Sequence, residues 1–467
     1  MNESEQFDSP AIAPIYSQRA PNDPIEYGSF LIEAGGAEGS SSGQTLAVFR
    51  ERFSRNNDLE IIVPEPTETS SNEGSRKDWL RVMAQIPTIT QNARRFRLVD
   101  FRTDVDAFCV YAGHDKSIFH PDHTPLQVHP PSNSLTMAVF HLFNWPQVFD
   151  PESYAPRIGT GRHFGADESG SIRLEYDNWI ITVTELENTA GLVKKLEEKG
   201  GYAITHVGRI ARSSGQPFTT KELNELLECI GYFFSLVLGR WNRPSLTVGF
   251  DSVGSRVFEH WGMLQITAGH YVKGDSFFDT GHASIFNALF PSFWQLWNAP
   301  LWHDTLKKAI YWYVGANNVG FGVNVDSALL FTQAALELLA WTYCVMDKKA
   351  VSEKAFAPRG GLTASDKLTL LTTLMEIPSN IPLQLKSLSA GPNQKWSNSM
   401  HVITDLRNGL VHPKETKGIS DNTYYEAWRL SLWYLDLILL RLLGYQGKYF
   451  NRLMTPIVGR VEDVPWV

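Results

Sequence analysis

Thr423-Tyr-Tyr-Glu-Ala-Trp-Arg-Leu-Ser-Leu-Trp-Tyr-Leu-Asp-Leu-Ile-Leu-Leu-Arg-Leu-Leu-Gly444 is the clearest helix in the sequence. Trp428, Leu432, Leu435, Leu439 and Leu442 step by four and three, which keeps them on one face at 3.6 residues per turn. Thr423 and Glu426 have the spacing of a capping box, and Gly444 offers a left-handed C-terminal cap. Glu426, Arg429, Asp436 and Arg441 are expected on a solvated side of this core-facing helix. Upstream, the same period predicts helices over 301–314, 325–346, 364–377 and 396–412, separated by Pro, Gly or Asn clusters. Five helices in about 145 residues predict an all-α bundle.

Ahead of position 261 the period changes to two. Ile172, Leu174 and Tyr176 alternate with polar residues, Asp177-Asn178 interrupts, and an apolar run resumes at Trp179, which predicts a hairpin. Strands dominate this half, with polar inserts over 35–43 and 64–75 expected as loops. One helix stands out there: Thr219 and Glu222 form a capping box, and apolar residues run from Leu223 to Leu238 before Gly239. The fold class is therefore α+β, with a β-rich N-terminal region over 1–298 that carries a helical insert.

Composition narrows the function classes. The 467 residues are 43% hydrophobic and 20% charged with 14 Trp, which excludes a disordered chain and allows two or three packed domains. A formal net charge of -8 supplies no global field for a polyanion, so any nucleic-acid contact must be a local patch. Cys109, Cys229 and Cys344 lie far apart and frame neither a zinc site nor a disulfide scaffold. The N-terminus lacks the basic and apolar regions of a signal peptide. The apolar run over 328–346 approaches the ~20 residues of a membrane span, but Gln333, Glu337 and two threonines interrupt it. It reads as a buried helix, and the expected location is cytoplasmic with no membrane partner.

The chemistry is concentrated in Asp405-Leu-Arg-Asn-Gly-Leu-Val-His-Pro413. Proline disfavours helical geometry in the residue before it, which places His412 at a helix C-terminus. The macrodipole favours a cationic imidazole there by up to ~1 kcal/mol. Trp396, Met400, Ile403, Leu406 and Leu410 form an apolar stripe, and Arg407 falls within it, while Asn408 and His412 project together from one flank. The plainer alternative pairs Arg407 with a buried carboxylate and leaves His412 as a cap and Asn408 solvated.

Arg-Asn-Gly-Leu-Val-His-Pro resembles the R-x4-6-H motif of HEPN-domain ribonucleases. The surrounding segments Ala309-Ile-Tyr-Trp-Tyr-Val314, Ala334-Ala-Leu-Glu-Leu-Leu-Ala-Trp341 and Tyr425-Glu-Ala-Trp428 are similar to the helical frame of that family, nearest the ApeA-like branch of prokaryotic defence proteins. The resemblance implies an all-α HEPN-like helical bundle over 299–447, followed by a tail over 448–467. It also implies metal-independent endoribonuclease activity by 2′-hydroxyl attack, in antiphage or stress defence, with no cofactor. Arg407 would stabilise charge on the phosphoryl oxygens, His412 would move the proton and Asn408 would orient either. Glu337, in an otherwise apolar helix, would hold Arg407 from behind. HEPN nucleases typically join two motifs across a dimer, so the resemblance implies a homodimer through the helical domain. Lys414 and Lys417 are the expected RNA-backbone contacts, with Tyr424 as a stacking surface. Charge over 405–463 sums to only +1, which favours a selected RNA such as a tRNA. The alternative is a catalytically silent bundle used for dimerisation or interaction, beside a β-rich binding domain. In either case the trigger sensed by the N-terminal region is unknown.

Rival sites are weaker. His114, His120, His123, His129 and His141 crowd beside Asp106, Asp115 and Asp122, yet their spacing matches no tight metal motif. Gly249-Phe-Asp-Ser-Val-Gly254 is not a nucleophile elbow, and Asp167-Glu-Ser-Gly170 has no glycine two residues before its serine. Gly159-Thr-Gly-Arg-His-Phe-Gly165 lacks the Lys-Ser/Thr of a P-loop.

Overall fold

The structure, a computed structural model, describes residues 12–34, 44–52, 58–64, 93–99, 101, 103–112, 116–123, 125–129, 132–148, 171–262, 276–320, 322–357, 361–389, 396–412, 419–455 and 457–467. It is α+β, with strands concentrated in the N-terminal region and helices in the C-terminal part. Clustering of the chain gives two compact units. One comprises Met1–Pro146, Asp177–Leu227 and Arg243–Tyr271, and the other Gln147–Tyr176, Glu228–Asn242 and Val272–Val467.

Six strands close into an antiparallel barrel in the first unit: β1 (Ile25–Ala34), β2 (Gln44–Arg52), β3 (Asp58–Pro64), β4 (Ala93–Leu98), β5 (Thr103–Ala112) and β6 (Lys116–Pro121). Their order is β1-β2-β3-β6-β5-β4. The period of two fixes which side chains fill it. Phe49, Ile61, Val63, Phe96, Leu98 and Phe119 alternate inward and are buried. A seven-stranded sheet follows, built from β7 (Leu126–Gln127), β8 (Met137–Phe143), β9 (Ile172–Tyr176), β10 (Trp179–Glu185), β11 (Ile204–Arg212), β12 (Ser245–Phe250) and β13 (Arg256–Trp261). It is ordered β7-β13-β12-β8-β11-β10-β9. The expected hairpin is present: Asp177 and Asn178 take φ 48° and 67°, the left-handed pair of a type I′ turn.

Trp261, stacked on Tyr27 at 5.2 Å and on Phe30 at 4.9 Å, joins the barrel core to that of the sheet. Beside it Glu259 is buried. Burial pushes its carboxyl up, but His129, hydrogen bonds from Tyr16 Oη (2.6 Å) and Trp261 Nε1 (3.0 Å), and Arg256 outweigh burial and hold it below the usual value. Gly208 on β11 lies under the Phe140 ring, where an added Cβ would meet the ring at 2.0 Å. Two helices accompany these strands in sequence, α1 (Thr189–Lys199) and α2 (Thr220–Leu238). The expected capping box opens α2: the Thr219 N–H and hydroxyl donate to Glu222, and Glu222 N–H donates to Thr219 Oγ1.

The second unit is helical. It contains α3 (Ser284–Asn298), α4 (His303–Asn317), α5 (Val325–Ala340), α6 (Glu353–Phe356), α7 (Ala364–Leu374), α8 (Lys386–Ser389), α9 (Ser399–Val411) and α10 (Asp421–Leu442). A π-helical turn, Trp341–Asp347, prolongs α5. Val325–Asp347 is long and apolar enough to cross a membrane, and among the described residues it is the one such helix; 56% of its most apolar stretch is buried inside the protein. Three findings differ from the sequence reading. First, α10 begins at Ser420, whose side chain accepts from Thr423 N–H. Glu426 instead accepts from the N–H groups of Ser387 and Leu388, so no Thr423–Glu426 box forms. Second, Asp436 is 0% exposed, not solvated. Third, the described residues of 448–467 pack into the helical unit: β14 (Lys448–Tyr449) pairs with β15 (Glu462–Asp463), and Phe450 N–H donates to Phe277 O. At the far end Gly444, φ 65°, donates to Arg441 O while Tyr445 N–H reaches Leu440 O, a Schellman cap.

Candidate functional site

Helix α9 carries the sequence motif. Asn398 caps it through His401 N–H at 2.8 Å, and Met400, Val402, Ile403 and Leu406 are buried, which fixes the rotation of the helix in the bundle. That rotation leaves Arg407 half-buried, with Asn408, Val411 and His412 exposed. Arg407 Nη1 donates to Asn408 Oδ1 at 3.1 Å, and Arg407 Nε is buried with no protein acceptor. Among the described residues no carboxylate lies in ion-pair range of Arg407. His412 takes the C-cap at φ −111°, ψ 105°, outside helical geometry, and its N–H donates to Asn408 O at 2.9 Å. Arg407, Asn408 and His412 thus share one end of one helix, Asn408 bound to both.

The acidic neighbours are engaged elsewhere. Asp405 accepts from Trp396 Nε1 at 2.8 Å. The Tyr424 hydroxyl is held above its ordinary pKa by burial first, then by the Asp326 and Asp405 carboxylates, so Tyr424 is half-buried beside acids rather than an open stacking surface. The exposed ring of this turn is Tyr425, against Trp428 at 5.4 Å. Glu337 accepts from Gln333 Nε2 at 2.6 Å, an i, i+4 bond within α5, and does not reach Arg407. Lys414, Lys417 and Pro413 lie outside the described residues.

Sequence reasoning missed a buried polar cluster in the helical unit. Asp436 receives Tyr313 Oη (2.6 Å), Arg452 Nε (2.6 Å) and Arg452 Nη2 (2.9 Å), and Arg452 Nη1 reaches Asn317 Oδ1 at 2.9 Å. Arg429 donates to the Arg452 carbonyl. Burial raises the Asp436 carboxyl, with Arg452 and Tyr313 opposing it. Tyr313 Oη and all three guanidinium nitrogens of Arg452 have partners, so the arrangement is a structural clamp. A carboxylate set among thirteen mostly apolar residues after Ser431 was the available signal.

The rival sites resolve as structure where they are described. His141 Nε2 accepts from the Ile15 and Tyr16 N–H groups at 3.1 Å and Nδ1 contacts Leu246 O at 3.0 Å, so both nitrogens are used. His120 packs on Phe108, and His129 lies 3.9 Å from Glu259. Among the described residues no group of three or more His, Cys, Asp or Glu could hold a metal ion. Asp251 Oδ1 accepts from Val253 and Ser255 N–H, making 249–254 a hairpin turn. His114, Asp115, the 159–165 glycine stretch and 167–170 lie outside the described residues, as do 35–43 and 65–75.

Residues 299–463 match the family model described as the YopA C-terminal domain, and 130–272 match that of the YopA central domain. The "SPbeta prophage-derived uncharacterized protein YopA" of Bacillus subtilis (strain 168) is 28% identical over 303 residues, covering 64% of this chain. The match spans 66% of that protein's length. No solved structure matches the chain.

Proposed function

We propose that the chain is a metal-independent endoribonuclease of the HEPN type, acting from the cytoplasm through Arg407, Asn408 and His412. The observation that supports this most is the guanidinium at the open end of α9, bound to a neutral amide and with no carboxylate partner among the described residues. Such a cation retains its capacity for an anion, and a phosphodiester supplies one. In this reading a ribose 2′-hydroxyl attacks the adjacent phosphorus. Its proton passes to a base, the bond from phosphorus to the 5′-oxygen breaks, and that oxygen leaves with a proton from an acid. His412, exposed and with no side-chain partner among the described residues, serves one of those two transfers, worth on the order of 100-fold to 10,000-fold. A second copy of α9 provides the other. Arg407 stabilises the charge building on the non-bridging oxygens. Asn408 holds the Arg407 fork, and its carbonyl fixes the turn that presents His412. The 2′-hydroxyl requirement makes RNA the substrate. The prophage origin of the relative supports a setting in phage and host conflict.

The test incubates the full chain with total RNA in EDTA, scoring cyclic-phosphate ends, alongside growth on overexpression. Expected are cleavage or growth arrest, each lowered on the order of 100-fold or more by Arg407→Ala and by His412→Ala. Inertness in both assays would favour the silent-module alternative and overturn the proposal, as would cleavage unaltered in both variants.

A further inference from the structure

Residues 12–24 run ahead of β1 with neither helix nor strand, and Pro14, Pro21 and Pro24 break both patterns. Individual side chains, not a strand ladder, hold most of this segment to the first unit. Beside β1, Asn22 Oδ1 accepts from Tyr202 N–H at 2.9 Å, and Gln18 Oε1 accepts from Ile204 N–H at 2.8 Å. Nearer its start one imidazole makes the attachment: His141 Nε2, on β8, accepts from both Ile15 N–H and Tyr16 N–H at 3.1 Å. Within 12–24 only Tyr16 is buried, its hydroxyl on Glu259 of β13 and its ring 5.3 Å from that of Tyr27 on β1. A ring nitrogen that accepts from two N–H groups carries no proton. The proton of neutral His141 is therefore on Nδ1, 3.0 Å from the Leu246 carbonyl. A second proton would set an N–H against two N–H groups at a fully buried position, so the bound segment and a cationic ring exclude each other.

We propose that residues 12–24 are a pH-dependent strap, latched by neutral His141 and released when that imidazole becomes cationic. The neighbouring elements leave His141 as the group that responds. It lies opposite Val207 on β11 and Ser245 on β12, neither of which carries charge. His206 is opposite Leu142, and alternation turns it to the other face of the sheet. Tyr16 faces His141 from the strap, with Glu259 behind the Tyr16 hydroxyl and His129 and Arg256 around that carboxylate. Burial drives the His141 imidazole down to about 4, opposed only by the Leu246 carbonyl. Once the strap lifts, the ring meets water and recovers proton affinity toward 6.5. The released form thus binds the proton more tightly, and acid between 6.5 and 4 favours release. The inference uses no residue of the nuclease reading, and its readout depends on neither cleavage nor the association of chains.

Hydrogen exchange of the full chain between pH 7 and 4.5, corrected for the intrinsic pH dependence of amide exchange, tests it. Protection over 12–18 is expected to fall ~10-fold or more by pH 4.5, while that of β8 and β11 is retained. His141→Gln offers an amide oxygen in place of Nε2 and takes up no proton. It is expected to match the wild-type chain at pH 7 and to lose the fall. Tyr16→Phe, lacking the bond to Glu259, is expected to exchange ~10-fold faster over 12–18 at pH 7 and to keep the acid step. Protection over 12–18 that does not fall, or falls only together with β8 and β11, overturns the proposal. A folded His141→Gln chain with the wild-type pH profile overturns it equally.

Discussion

Asp436 is a charge that the helical unit can hold only while Arg452 is present. Removing one member of a buried pair strands the other, at about 3–5 kcal/mol, whereas replacing both with apolar groups is often near neutral. Arg452→Met is therefore expected to lower the urea-unfolding free energy by that amount, and Arg452→Met/Asp436→Leu to recover most of it. Equal losses in the two proteins would show that the ion pair is not the source. Gly208 makes a second prediction at this scale. A Cβ there would overlap the ring of Phe140, itself fully buried, so Gly208→Ala should cost on the order of 1–3 kcal/mol, and Gly208→Ala/Phe140→Leu less. Single residues were the hardest to read from sequence. Arg407 was visible as a cation on an apolar stripe, but its amide partner depends on the rotamer that α9 adopts. Period alone places Asp436 on a wet side, because it cannot distinguish a solvated turn from one covered by a segment sixteen residues away. Glu337 bonds along its own helix to Gln333, which no spacing argument favours over a reach across to Arg407.

At the level of elements the periodicity carried further. Helices read over 301–314, 325–346, 364–377 and 396–412 correspond to α4, α5 with its π turn, α7 and α9, displaced by a few residues at their ends. The ends differ because caps are local chemistry: Ser420, not Thr423, is the N-cap of α10, its hydroxyl accepting from Thr423 N–H. Ser420→Ala should thus destabilise the helical unit by about 1 kcal/mol in thermal melts, with Thr219→Ala doing the same at α2. If Glu426→Gln matched Ser420→Ala through a loss at the same cap, the assignment of Ser420 would be wrong. Helix α3 escaped the reading because Pro291 sits inside it and aromatic residues, weak helix formers, supply its buried face: Phe286, Phe290, Phe293 and Trp297. The barrel was legible only as strands, since closure depends on pairings between β1 and β4 that are remote in sequence.

For the whole chain, acid is expected to act first on the strand-rich unit. Burial drives the His141 imidazole down from 6.5 to about 4 and His206 to about 3, so both stay neutral in the native state. An unfolded chain takes up those protons below 6.5 while the folded one does not, which favours unfolding as pH falls. This contribution is intact above 6.5 and is lost progressively toward 4, on the order of 3 kcal/mol for each histidine. Urea midpoints measured across that window should fall steadily with acidification, and a flat profile would contradict it.

The Arg452 clamp also bears on how the chain is made. Translation delivers Tyr313 139 residues before the guanidinium it will touch, and Asp436 sixteen residues before it. A nascent helical unit emerging from the ribosome accordingly holds an unneutralised acid at its centre until Arg452 follows. Chains interrupted in that interval would be marked by an unstable interior, ready substrates for chaperones and quality-control proteases.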